Sequence, residues 1–152
     1  MKHLKIENLK EYNSDILSAL NNLLPQLTER KIILKEDELR EMINAPHTNI
    51  YIIRNENDAD KIIGSLTMTV FRIPTGKAAH IDDVVVDSRF RGLGAGEKLM
   101  RRAVSDAEKS GVSKISLTSH PRRKAANRLY QRLHFNLHET NSYCLNLEKF
   151  QK

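Results

Sequence analysis

The chain has 152 residues, 39% hydrophobic and 29% charged, with one cysteine and a formal charge of +6. That length fits one domain with a real core. No apolar run approaches the ~20 residues of a membrane span, the N-terminal MKHLKIENLKEYN lacks the apolar region of a secretory signal, and one cysteine excludes an internal disulfide or a multi-cysteine zinc site. The expectation is a cytoplasmic protein whose positive charge suits an anionic partner: a nucleic acid, a membrane surface or a phosphorylated small molecule.

Residues 3–9 read as a short strand. Ile16, Leu17, Leu20, Leu23, Leu24 and Leu27 form a helical stripe over residues 15–28, with Pro25 as an early break. A second helix runs from about Glu36 to Asn44. Asn49–Asn55 alternates as a strand, the turn-rich NENDAD follows, and Lys61–Ile73 is a long strand, so the pair reads as a hairpin. Pro74-Thr75-Gly76 marks the next turn, before a strand over Lys77–Asp87. A helix over roughly residues 94–110 is closed by Gly111, Lys114–Ser119 is a strand, and Pro121 precedes a helix from about Arg123 to Leu133. Residues 139–149 alternate as a closing strand, in which Cys144 reads as a core thiol. This order gives a single α+β domain over residues 1–152, with a mixed, mostly antiparallel sheet flanked by helices. Its β–α–β unit forces one parallel pair, placed at residues 84–86 beside 114–119.

The stretch HIDDVVVDSRFRGLGAG, His80 to Gly96, concentrates the chemistry. A β-branched strand leads into a turn with glycines on alternate positions, and a helix follows at once. Such a turn lets the backbone approach an anion while the helix start supplies N–H donors and partial positive charge. A Walker A loop is excluded because no Gly-x4-Gly-Lys-Ser/Thr spacing exists, and a dinucleotide fingerprint because Glu97 stands where its third glycine belongs. What remains is Arg-x-x-Gly-x-Gly, a loop of a size that suits a pyrophosphate. Basic residues gather around it (Arg89, Arg91, Lys98, Arg101, Arg102) and again at Arg122, Arg123, Lys124, Arg128 and Arg132. Glu97, in the first helical turn, is expected to face solvent and pair with Arg101.

Here the chain resembles the GNAT superfamily of N-acetyltransferases, over roughly residues 48–147. The signature Arg/Gln-x-x-Gly-x-Gly/Ala stands at Arg91–Gly96. The second pattern, Asn-x-x-Ala-x-x-Leu-Tyr-x-x-x-Gly-Phe, is met by Ala126, Leu129, Tyr130 and Phe135, with Arg123 in place of the asparagine and His134 in place of the glycine. The fold this resemblance implies is the GNAT-like acyl-CoA N-acyltransferase fold, with a central, splayed parallel pair. The activity it implies is acetyl transfer from acetyl-CoA, as co-substrate, to a primary amine by direct attack, with no metal.

The resemblance also implies roles. Arg91, Gly92, Leu93, Gly94, Ala95 and Gly96 would cradle the pyrophosphate. Val84, Val85 and Val86 would run alongside the pantetheine arm, with the Val84 N–H holding the oxyanion. Asn127 would contact the arm, and Tyr130 would protonate or stabilise the leaving thiolate. A base is needed because an alkyl ammonium with pKa near ~10 cannot attack at neutral pH. Strand alternation puts 80, 82, 84 and 86 on one face and 81, 83, 85 and 87 on the other; family members carry base residues two and four positions before the equivalent of Val84, so the resemblance makes His80 and Asp82 the candidates, directly or through a water. The HIDD run is similar to that of glucosamine-phosphate acetyltransferases, but four residues do not carry a substrate. The acceptor is a small-molecule or protein amine. No membrane partner is expected, and a homodimer is compatible with the sequence. The rivals are a non-catalytic acyl-CoA-binding module and a nucleic-acid-binding protein. Few aromatics (5%) disfavour the latter.

Overall fold

A computed structural model describes residues 3–150. The chain divides into two compact units, Met1–His120 and Pro121–Lys152.

The first unit holds one five-stranded sheet in the order β1-β2-β3-β4-β5. Its strands are β1 (Leu4–Asn8), β2 (Thr48–Asn55), β3 (Lys61–Ile73), β4 (Gly76–Val86) and β5 (Lys114–Leu117). The first four are antiparallel neighbours and β4–β5 is parallel. Helices α1 (Ser14–Leu23) and α2 (Glu36–Asn44) pack on one face. There Ile16, Leu20, Leu23 and Leu39 meet Ile50, Ile52, Ile62 and Val85. The Asn13 side chain caps α1 at the Asp15 N–H (2.7 Å). After Leu23 the chain tightens into a 3-10 turn, Leu24–Gln26, at Pro25, the break expected there. Helix α3 (Ala95–Lys109) covers the other face with Leu99, Met100, Ala103 and Ala107 buried, Leu99 and Met100 each contributing about 2 kcal/mol of burial. The buried Tyr51 phenol donates to Asp106 of α3 (3.0 Å), which also holds Arg102 (3.0 Å). Burial first, then Asp106, pushes that phenol's pKa up. Gly111, at φ 76°, closes α3 as expected: its N–H bonds Glu108 O and the Val112 N–H bonds Ala107 O, a Schellman ending.

Three expectations are corrected. The parallel pair is Ala78–Ile81 beside Lys114–Leu117, not 84–86 beside 114–119. Strand β5 stops at Leu117, ahead of Pro121, which cannot donate to a ladder, and β4 runs on to Val86. The pair also lies at the sheet's edge, because residues 139–146 form no regular element and Leu147–Phe150 is a 3-10 turn. Alternation makes a two-faced segment, but a strand needs a ladder. Tyr143 in this segment is 89% exposed, Leu145 and Leu147 are exposed too, and Cys144 is a free, exposed thiol rather than a core one.

The third correction concerns β4 itself. From Thr67 to Ser65 β3 takes two steps while β4 takes three, from Asp82 to Val85, and Asp83 stands at φ 54°. This is a β-bulge. Directly opposed residues share a face, so Thr69, Thr67 and Ser65 place His80, Asp82 and Val85 together on the α1/α2 side. Val86, opposite Gly64, faces the other side with Ile81. Alternation therefore holds up to Asp82 and reverses beyond it. Gly64 lets β3 approach here: a Cβ would stand 2.8 Å from Val85 O and 3.0 Å from Ile53 Cγ2. Gly64→Ala is expected to destabilise the protein by about 1–3 kcal/mol, read from denaturant midpoints; an unchanged midpoint means that the two strands give way without strain.

In the second unit, α4 (Lys124–Arg132) is followed by Leu133 and then His134 at φ 67°. The His134 N–H bonds Gln131 O (3.0 Å) and the Phe135 N–H bonds Tyr130 O (3.0 Å). This is the same Schellman ending as in α3, with histidine at the left-handed position that glycine favours. The Phe135 and Tyr130 rings, 6.3 Å apart, supply its apolar contact.

Candidate active site

On β4 of the first unit the ring of His80 lies between two side chains. Its Nε2 is 3.3 Å from Asp82 Oδ1, and its Nδ1 is 3.2 Å from Oγ of Ser116, its direct partner on β5. Both base candidates thus stand together, because residues two apart on a strand share a face. Ser116 was not foreseen. KISLTS has no motif, and only the parallel register brings position 116 to position 80. The pairing ends one rung later, at Ile81–Leu117, where β4 enters its bulge. Val84 lies within that bulge, between Asp82 and Val85. Close by in sequence, the Ser119 Oγ beyond β5 is a buried oxygen with no hydrogen-bond partner among the described residues.

Strand β4 then leads into the glycine turn through a fixed corner. The Asp87 carboxylate is buried and accepts from the Arg89 N–H (3.0 Å), Nε (3.2 Å) and Nη2 (2.7 Å), while the Ser88 N–H donates to Gln26 Oε1 (2.8 Å). The hydrogen bond from Arg89 outweighs burial and lowers the Asp87 pKa from 3.8 to about 2. A carboxylate depressed on folding stabilises fully above its unfolded pKa, and that stability is lost as pH falls through the folded value. The gap in melting temperature between wild type and Asp87→Asn is therefore expected to shrink as pH drops from about 4 to about 2. A gap that stays constant over that range removes the ion pair from acid stability.

Beyond that corner Gly92 (φ 81°) and Gly94 (φ 79°) take left-handed conformations, Gly94 as the N-cap of α3. Gly92 has open space where a Cβ would stand. Leu93 is exposed, Ala95 is buried, and Gly96 lies in the first turn of α3. A left-handed N-cap opening a fifteen-residue helix leaves first-turn N–H groups of the kind that could hold a diphosphate. The surrounding cations are mostly committed elsewhere. Arg89 binds Asp87, Arg101 binds Glu97 (2.8 Å, the expected pair), Arg102 binds Asp106, Arg91 Nε donates to Val86 O (3.2 Å), and Lys98 Nζ donates to Leu4 O. Three of the five basic residues around the turn are thus paired with carboxylates, and the other two donate to backbone carbonyls.

In the second unit, Tyr130 is a buried residue of α4, and burial raises its pKa against a smaller opposing effect of Arg123. Its hydroxyl therefore keeps its proton at neutral pH. Asn127, half-buried, lies three residues before it on the same helix. No cluster of three or more His, Cys, Asp or Glu side chains suited to a metal occurs among the described residues. No helix among them is long and apolar enough to cross a membrane.

Residues 16–135 match the Acetyltransferase (GNAT) family. The chain is 30% identical over 110 residues to a glucosamine 6-phosphate N-acetyltransferase of Arabidopsis thaliana, covering 68% of this chain and 74% of that protein. The crystal structure of the glucosamine-6-phosphate N-acetyltransferase from Arabidopsis thaliana superposes with a TM-score of 0.77 at 26% identity, covering 93% of this chain and 97% of that one. An aminoglycoside acetyltransferase from an uncultured soil metagenomic sample shares the fold at a TM-score of 0.82 and 23% identity, over 95% and 96% of the two chains.

Proposed function

The chain belongs to the GNAT acetyltransferase family and transfers an acetyl group to an amine, and from that premise we propose that its donor is acetyl-CoA and its acceptor a primary amine that attacks directly. Acetyl-CoA supplies an activated thioester. The observation that carries the reading is the bulge at Asp83. It ends the His80–Asp82 face where β5 ceases to pair, on the strand that feeds the left-handed Gly92 and Gly94.

Residues Arg91 to Gly96 bind the pyrophosphate through the turn and the start of α3. Val84 to Val86 receive the pantetheine arm, with the Val84 N–H aimed at the carbonyl oxygen where negative charge develops. His80, backed by Asp82, removes the amine proton. Tyr130 protonates the leaving sulfur, and Asn127 contacts the arm. These roles rest on the family motifs and on the local geometry of each unit.

A melting scan with acetyl-CoA, CoA and an oligonucleotide tests this. Either coenzyme form at ~100 times its Kd stabilises the fold by ~2.7 kcal/mol, and the oligonucleotide does not. No shift with either form overturns the reading. A panel of amines followed by thiol release then finds the acceptor. Glucosamine 6-phosphate heads it, because a relative at 30% identity carries that name.

The proposal extends to a cytoplasmic enzyme in which residues 1–152 act as one domain. An active fragment lacking Pro121–Lys152 would contradict the last point. It also includes a homodimer, favoured by the exposed Tyr143, Leu145 and Leu147. Light scattering that finds a monomer at every concentration contradicts that.

A further inference from the structure

We propose that Ser116 is a working part of the base: Asp82, His80 and Ser116 form a relay in which the serine hydroxyl takes the amine proton as it passes its own to His80 Nδ1. This rests on the reading of His80 as the base.

Both ring nitrogens of His80 are engaged, Nε2 by Asp82 Oδ1 at 3.3 Å and Nδ1 by Ser116 Oγ at 3.2 Å. A carboxylate can only accept, so in the neutral ring the proton belongs on Nε2 and the Nδ1 lone pair faces the serine. The serine must then donate its hydroxyl hydrogen to Nδ1, which leaves its oxygen lone pairs to accept from a third group. His80 consequently has no basic lone pair aimed anywhere but at Ser116 Oγ. A proton that reaches His80 passes through that oxygen.

The step balances. An N–H bond of the substrate's ammonium form breaks as an O–H bond forms on Ser116, and the original Ser116 O–H bond breaks as an N–H bond forms at His80 Nδ1. The ring becomes an imidazolium held against the Asp82 carboxylate. The electron pair freed on the nitrogen forms the new bond to the acetyl carbon, the thioester C–S bond breaks, and the leaving thiolate takes its proton from Tyr130, the proposed acid. Reversal of the relay to water resets the ring, since Asp82 and Ser116 are both exposed.

The backbone supports a fixed relay rather than a passing contact. His80 and Ser116 are register partners in the parallel pair, next to its last rung, so their Cα atoms are held by ladder bonds on both sides. Asp82 is set two residues on from His80, immediately before the bulge.

Two measurements test the relay. Long-range proton–nitrogen NMR of the free protein, with His80→Ala to identify the signals, reads the ring directly. Wild type should show His80 in one neutral tautomer with the proton on Nε2, and Asp82→Asn should release a mixture; a wild-type ring protonated on Nδ1 overturns the proposal. Kinetics with the fastest-turning amine of the panel give the second reading. Ser116→Ala should lose about 10²-fold in kcat with the KM for acetyl-CoA unchanged. Ser116→Thr, which keeps the hydroxyl, should recover most of the loss, and the double variant Ser116→Ala, His80→Ala should be no slower than His80→Ala alone. A Ser116→Ala enzyme within about twofold of wild type, beside a slow His80→Ala enzyme, sinks the relay and leaves His80 as the base. An active His80→Ala enzyme sinks both.

Discussion

Tyr130→Phe lowers kcat by about 10²-fold and leaves the fold intact, because it deletes one proton and keeps the ring. The ring forms the apolar contact of the α4 ending with Phe135, and the helix carbonyl that accepts the Phe135 N–H belongs to the backbone, so neither depends on the hydroxyl. Burial raises the phenol pKa above its ordinary 10. A group needed in its protonated form keeps working until pH passes its pKa, so the alkaline limb of the rate profile due to Tyr130 should lie above 10 and be absent in the phenylalanine variant. Equal turnover in the two proteins removes Tyr130 as the acid.

His80→Ala lowers kcat by about 10²- to 10³-fold while acetyl-CoA still raises the melting temperature as in wild type. The glycine turn and the start of α3 lie further along the chain than His80, whose ring nitrogens are held by Asp82 and Ser116. Binding and proton removal should therefore come apart. An enzyme of undiminished kcat transfers the role of base to Asp82 through a water, the alternative left open by the sequence. A lost melting shift means instead that the ring supports the fold of the coenzyme turn.

Most elements were legible because each carries one strong period. KIIGSLTMTVFRI became β3 over the predicted residues, and Glu36–Asn44 became α2 with the predicted ends. The left-handed exit at His134 falls where the family pattern has its glycine, and Gly111 was legible from turn chemistry. The glycine turn was legible for the same reason, since Gly92 and Gly94 take the conformations only glycine adopts readily. What escaped depends on partners far away in sequence. An aspartate in the left-handed region leaves no mark on IDDVVV, so the bulge and the reversal of faces beyond Asp82 could not be read from alternation. Ser116 needed the parallel register. Residues 139–149 carry a sound strand pattern, yet whether a ladder forms is a property of the whole fold. Cys144 was misread along with them. Among the basic residues around the turn, the Arg101–Glu97 pair was legible from its spacing, while the Arg89–Asp87 pair was not.

The extra residue at position 83 acts as a phase shift in the strand. Any alignment that lays β4 against an uninterrupted strand will be correct up to Asp82 and inside-out from Val84 onward, even where every residue type looks well matched. Grafting the segment His80–Val86 into another sheet would carry the same hazard. The recipient strand must give up one residue, or His80 and Asp82 will arrive on the intended face while Val85, which belongs in the core with Ile52 and Ile62, is delivered to the wrong side.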